Sequence, residues 1–242
     1  MIRLCAINDE ISDSFKDTLI TLNNLDINYI EIRKIDNKMF HELSNDEINK
    51  VISLLNKYNI KVSVLDSSIG KKIIDDIDIF NKYISLSKKT KASSIRIFSD
   101  LSDKYLITIN EISKQNNIML LMENEPNTKF ETFDYFYELK ERLNLDNIYI
   151  CYDNENNYKC NNEKIEELKY VKHIHLRDYK DNYDYILEGN LEIDKLLNKL
   201  IEEEYDGLIS IESHLPMIKD DNKVEMFNRS IENIRKWLKE VI

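Results

Sequence analysis

Val171-Lys172-His173-Ile174-His175-Leu176-Arg177-Asp178 is a short run in which apolar and polar side chains largely alternate. That period marks a strand, with residues two apart on the same side. His173 and His175 therefore share a side, and they are two of only four histidines in 242 residues. A polar row on a buried strand needs partners, because an unsatisfied buried polar group costs about 1–3 kcal/mol. What the histidines face depends on what the neighbouring strands bring.

Runs of the same kind recur on both sides of this one. Residues 2–7, 29–32, 61–65, 94–98, 118–122, 148–152, 171–176 and 208–211 read as strands. Helix-period segments lie between them. Residues 12–25 carry Phe15, Leu19 and Leu22 at helical spacing. Ser44-Asn45-Asp46-Glu47 is a capping-box pattern opening a helix with Ile48, Val51, Ile52, Leu55 and Tyr58 on one face. Further helices are predicted over 75–89, 103–114, 132–143, 162–168 and 191–203, and a last one carries Val224, Phe227, Ile231, Ile234 and Leu238. Eight such units, roughly 24–36 residues apart, suit right-handed βα crossovers. The reading is an α/β fold, a single-domain (β/α)8 TIM barrel over residues 1–242. An open doubly wound sheet would want a glycine-rich first turn, and that turn is Asn8-Asp9-Glu10-Ile11.

A chain 42% hydrophobic and 33% charged suits one globular unit of this size. The net charge of −11 argues against a nucleic-acid partner. No apolar run approaches the roughly 18 residues of a membrane span. Residues 1–7 are too short for a signal-peptide core, and Cys5, Cys151 and Cys160 lack C-x-x-C spacing, which together suggest reduced thiols in a cytoplasmic protein. Three glycines leave many left-handed turn positions to the abundant Asn and Asp.

In a barrel of this kind, chemistry sits where strands end. Strand five ends in Glu123, strand six in Asp153 and strand eight in Glu212, while strand seven offers His175. Three crowded carboxylates repel one another, and a divalent cation resolves the conflict. Two Glu, one Asp and one His favour Mn2+, Mg2+ or Co2+ ahead of Zn2+. An acidic residue after a strand is also an ordinary helix N-cap, the plainer reading of any one of these alone.

The chain also resembles the xylose isomerase-like TIM-barrel superfamily, in its sugar phosphate isomerase/epimerase branch. The resemblance is carried by Tyr29-Ile30-Glu31-Ile32-Arg33, Ser68-Ile69-Gly70-Lys71, Arg96-Ile97-Phe98-Ser99, Leu121-Met122-Glu123-Asn124-Glu125, Tyr152-Asp153-Asn154-Glu155-Asn156, His173-Ile174-His175-Leu176-Arg177-Asp178, Glu188-Gly189-Asn190 and Ser210-Ile211-Glu212-Ser213-His214. It implies one divalent metal held by Glu123, Asp153, His175 and Glu212. It further implies a sugar, sugar phosphate or inosose isomerase or epimerase working through a metal-stabilised enediolate, with Glu123 and Glu212 as acid and base, and a homodimer. Three positions depart from the pattern. Asn156 stands where several epimerases carry a substrate-contacting histidine, Arg177 replaces a common lysine, and Asp66-Ser67-Ser68 lacks a histidine.

Arg33, Arg96 and Arg177 lie near strand ends and can bind hydroxyls, a carboxylate or a phosphate; the plainer role for each is a pairing with Glu31 or another strand carboxylate. Expected substrate contacts are Arg177, His214, Arg33, Glu31 and Asn156. His173 is expected one layer below His175, in support of it. Residues 67–71 offer a weak phosphate-cradle signal, and His41 is expected to be solvated. The substrate would be a sugar or polyol, with neither nucleic acid nor membrane involved. Rival functions are a dehydratase on the same scaffold, a non-catalytic sugar-binding barrel, and an apurinic-site endonuclease, which needs more histidines than four.

Overall fold

The computed structural model describes residues 2–160, 168–180, 182–212, 214 and 222–241. Eight parallel strands form one sheet: β1 (Arg3–Ala6), β2 (Tyr29–Ile32), β3 (Lys61–Asp66), β4 (Ser94–Ile97), β5 (Met119–Glu123), β6 (Ile148–Asp153), β7 (Val171–Leu176) and β8 (Leu208–Ile211). Their order is β1-β8-β7-β6-β5-β4-β3-β2, and a parallel bridge between Ile7 and Glu31 joins the two ends. The ring is the (β/α)8 barrel that the alternation predicts. Helices α1 (Phe15–Asn24), α2 (Asn45–Tyr58), α3 (Ile77–Thr90), α4 (Asp103–Gln115), α5 (Phe133–Leu143), α6 (Asn154–Lys159), α7 (Ile193–Glu202) and α8 (Lys223–Val241) follow the strands in turn.

Local chemistry sets the ends of these elements. The capping box of α2 forms as read: Ser44 Oγ accepts from the Glu47 amide, and Glu47 accepts from the Ser44 amide. Asn and Asp hold eight of the thirteen positive-φ positions that are not glycine among the described residues, so the shortage of glycine is met as expected. Gly70 is a position they cannot fill. Its φ is +84°, and a Cβ there would run into the Phe98 carbonyl.

The main core lies between the strands' outer faces and the helices. Ile30, Ile95, Leu120, Ile150, Ile174 and Ile209 pack there with Leu19, Phe80, Phe136 and Leu197. Burying each is worth about 1.5–3 kcal/mol. The barrel interior is different. Val64, Leu121 and Cys151 form a small separate apolar cluster. Cys5, Glu31, His173, His175 and Ser210 are buried polar residues or thiols on the strands around it. Glu31 on β2 reaches His173 on β7, two strands beyond its neighbour β1, so the contact crosses the interior.

Two register slips aim these side chains. Pairing of β6 with β7 goes from Ile150–Val171 to Cys151–His173, passing over Lys172. Lys172-His173 is where the sequence alternation breaks, and the bulge lets Val171 join the outer core while His173 turns inward. Pairing of β2 with β3 likewise passes over Ser63.

Several boundaries differ from the sequence reading. The first helix begins at Phe15, because a one-turn helix over Asn8–Ile11 precedes it. The helix expected over 162–168 has residues 162–167 outside the described residues; the described helix after β6 is α6, which Asp153 caps by accepting from the Asn156 amide. Two small hairpins, Lys34–Ile35 with Lys38–Met39 and Asp178–Tyr179 with Tyr183–Asp184, were not foreseen, being too short for a periodic signal.

Candidate active site

Glu123, Asp153, His175 and Glu212 come together at the C-terminal mouth of the barrel. All four are buried, and a ligand-type atom of each lies within 4.8 Å of the others. They do not share one rung. Glu123 pairs with Cys151, whereas Asp153 pairs with His175, and Glu212 lies two residues beyond Ser210, the partner of His175. The stagger of a closed barrel turns these rungs into one cluster.

His175 is held from behind. Its Nε2 lies 3.2 Å from both oxygens of Glu31, while its Nδ1 lies 3.0 Å from Glu212 Oε2 and 3.6 Å from Glu123 Oε1. Glu31 also takes His173 Nε2 at 2.9 Å and the Ser210 hydroxyl at 2.8 Å. His173 is thus a supporting residue beneath His175. Burial disfavours the Glu31 carboxylate, but His175 and His173 outweigh it and hold the carboxyl well below its usual range. Burial likewise opposes charge on His175, yet Cys151, Glu31, Glu123 and Glu212 raise it well above an ordinary imidazole.

Three arginines enter the same mouth. Arg177 Nη2 lies 2.5 Å from Asp153 Oδ2 and 2.9 Å from Glu212 Oε2, and its Nη1 lies 3.0 Å from Glu155. Arg33 donates to Glu212 Oε1 at 2.7 Å, Glu10 at 2.8 Å and Asp9 at 3.0 Å. Arg96 pairs with Asp66 and lies 3.1 Å from Glu123 Oε2. Each oxygen of Glu212 therefore meets a guanidinium. Burial works against its charge, but Arg177, His175 and Arg33 hold the carboxyl well below the usual range. Glu123 is lowered too, with Arg96 and His175 opposing burial. Asp153 goes the other way. Burial, with repulsion from Glu123 and Glu212, overcomes Arg177 and pushes it up to about 7.

The donor set fits a cation. Two buried atoms of the quartet, His175 Nδ1 and Asp153 Oδ2, have no hydrogen-bond partner despite their close charged neighbours. Both atoms are faced by charge without a hydrogen bond, and one imidazole nitrogen with three carboxylates in one buried cluster is a donor set that a divalent ion satisfies. The group Glu10, Glu212 and His214 also lies within ligand spacing, but Arg33 already bonds two of its members.

The remaining expected residues are placed as follows. His214 bonds Glu10 through Nδ1 at 3.1 Å and packs edge-on against Tyr183. Asn156 donates to Glu125 at 3.0 Å and to Glu123 at 3.4 Å. Glu31 does not hold Arg33; it lies wholly inside under the histidines, and Arg33 turns outward to Asp9 and Glu10. Residues 67–71 do not form a phosphate cradle. Their amides serve the loop itself: Ile69 donates to Ser67 Oγ, Gly70 to Ile73, and Lys71 to Ser68. His41 is not simply solvated, since its Nδ1 lies 3.0 Å from the Tyr83 hydroxyl. Sequence reasoning passed over Asp9, Glu10 and Glu155. The signal was there, because each follows the end of a barrel strand.

A family model described as xylose isomerase-like TIM barrel matches residues 104–240. No curated protein sequence matches the chain. Among solved structures, the IOLI protein with a bound zinc atom superposes with a TM-score of 0.81 at 16% identity, covering 100% of this chain and 99% of that one. D-allulose 3-epimerase from Methylomonas sp. gives 0.77 at 13% identity, over 97% and 96% of the two chains. The probable 3-DHS dehydratase AsbF from Bacillus anthracis gives 0.74 at 16% identity, over 93% and 98%. Identities this low establish the shared fold.

Proposed function

The chain belongs to the xylose isomerase-like TIM-barrel family, and from that premise we propose that it is a divalent-metal-dependent isomerase or epimerase of a sugar or polyol. The observation that carries the reading is the buried quartet Glu123, Asp153, His175 and Glu212, which offers one imidazole and three carboxylates within ligand spacing and leaves His175 Nδ1 and Asp153 Oδ2 without a hydrogen bond. These four residues would hold the metal. When bound, a divalent ion supplies Lewis acidity to neighbouring oxygens of the substrate.

The chain's own residues do the rest. Glu123 and Glu212 take and return the proton beside the substrate carbonyl. Glu31 fixes the His175 ring so that Nδ1 is presented to the carboxylates. Arg177, Arg33, His214 and Asn156 line the same mouth and orient substrate hydroxyls. Their present partners are carboxylates, so substrate oxygens compete for donors already in place.

A dehydratase is the second reading, and one feature favours it, as it favours an isomerase, over an epimerase. Both oxygens of Glu212 are engaged by guanidinium groups, which leaves Glu123 as the less encumbered carboxylate. Inverting a carbon needs a working group on each face. Elimination of water, or proton transfer to the adjacent carbon, needs only one.

The test is an assay of the metal-loaded protein in D2O over ketoses, inososes and hydroxylated cyclic ketones. Deuterium entering beside the carbonyl supports the proposal, and an unsaturated ketone in its place supports the dehydratase. Sugar binding without exchange or turnover on any substrate refutes both.

A further inference from the structure

The opposite end of the barrel has a character of its own. A cavity of about 760 Å3 opens there, where the loops from the helices enter the strands. Ligand pockets fall in the range of about 300–1,000 Å3. Arg3, Lys61 and Lys172 stand at or near the starts of β1, β3 and β7, and Lys89 and Lys91 come from the end of α3. Against these five cations the lining holds one carboxylate, Asp206, which lies 3.6 Å from Lys172. A net charge of −11 makes such a basic patch unusual for this chain.

Lysines at a helix C-terminus can simply complement the helix dipole. That accounts for Lys89 and Lys91, at the end of α3. It does not account for Arg3, Lys61 or Lys172, which lie on strands. Among the described residues, Arg3, Lys61 and Lys91 have no ion-pair partner. Deeper in, the lining changes to Val62, Val64, Leu121, Ser63 and His173, aliphatic surface with a few polar groups.

We propose that this cavity is a second binding site, for a small organic phosphate. The cations at the rim take the phosphate, as a cleft lined by one sign of charge concentrates the opposite sign. Flexible ammonium groups from separate elements suit a multivalent phosphate more than one planar carboxylate. The volume exceeds the need of an inorganic ion, and the aliphatic floor with Ser63 receives the ligand's uncharged body. The proposal does not rest on the reaction proposed above, although His173 in this lining also bonds Glu31 beneath the metal quartet.

Inorganic pyrophosphate, titrated into the metal-free full chain by calorimetry and amide NMR, tests the charged part. Saturable binding is expected, with shifts centred on Tyr29, Lys61, Ser94 and Lys172. The exposed pair Arg3→Glu and Lys61→Glu should weaken it by on the order of tenfold or more, with the melting temperature as a check on the fold. Lys91→Glu alone, away from the strands, should also weaken it. No saturable binding, binding unchanged in these variants, or shifts centred on Arg33 and Arg177 would each overturn the proposal. So would attraction that is unsaturable and vanishes at physiological salt, since that is diffuse screening of surface lysines.

Discussion

Glu31→Gln is the substitution that most directly tests how the metal quartet is held. Glu31 is fully buried and accepts from His175, His173 and Ser210 together. Glutamine keeps the shape but turns one acceptor into an NH2 group facing ring nitrogens, and it removes the negative charge that favours His175 Nε2–H. The carboxylate partner of a metal-binding histidine is typically worth about 10–100-fold in metal affinity, or about 1.4–2.7 kcal/mol. At a metal concentration of about 100 times the wild-type Kd, binding stabilises the wild type by about 2.7 kcal/mol. In a domain of this size that raises Tm by roughly 5–11 °C. For Glu31→Gln at the same concentration the stabilisation drops to about 0.4–1.4 kcal/mol, a rise of roughly 1–6 °C. Paired melts with and without Mn2+, with calorimetric titration for Kd, read both quantities. A metal Kd within about twofold of wild type, in a variant whose metal-free melt is cooperative, would refute the role given to Glu31.

Three further outcomes follow from the same geometry. Removing one ligand, as in His175→Ala or Glu123→Gln, should cut bound metal per chain from one to near none by atomic absorption after dialysis; unchanged metal in both variants would sink the assignment. Asp153, with its carboxyl raised from 3.8 to about 7, keeps its proton in the folded state where the unfolded chain has lost it. It therefore destabilises the metal-free protein increasingly as pH rises from about 4 to about 7, and by a constant amount above that. The metal must displace that proton and also one from His175, which is raised as well, so affinity should rise by more than about tenfold per pH unit below pH ~7 and keep rising, less steeply, above it; an affinity flat across this range contradicts the shifts. Burial pushes the Cys5 and Cys151 thiols up to about 12, so mass spectrometry after brief maleimide treatment of the native protein should find only partly exposed Cys160 labelled, and early labelling of Cys151 would show an opening barrel.

Much of the barrel was legible because each element carries its own periodicity. The break at Lys172-His173 even marks the bulge, although alternation alone does not distinguish a bulge from noise. The ligand quartet was legible for a related reason: topology sends every strand end to the same mouth, so Glu123, Asp153, His175 and Glu212 must converge once the fold is known. Partner choice across that mouth was not legible. Glu31 and Arg33 are two apart on one strand, which suggested that they pair. Instead β2 ends at Ile32, and beyond it the Arg33 side chain is free to reach Glu212, 179 positions away. No local rule links those two residues. A global one does. Carboxylates from Asp9, Glu10, Asp66, Glu123, Asp153, Glu155 and Glu212 meet the guanidinium groups at this end of the barrel, and countercharge must come from groups able to serve several acceptors at once. Arginine does that where lysine, a single point charge, does not. Three of the chain's seven arginines stand within one residue of the C-terminal ends of barrel strands, and all three bridge two or more carboxylates there. Counting strand-end arginines against strand-end carboxylates would have shown, from sequence alone, that these side chains serve the acidic mouth first and any substrate second.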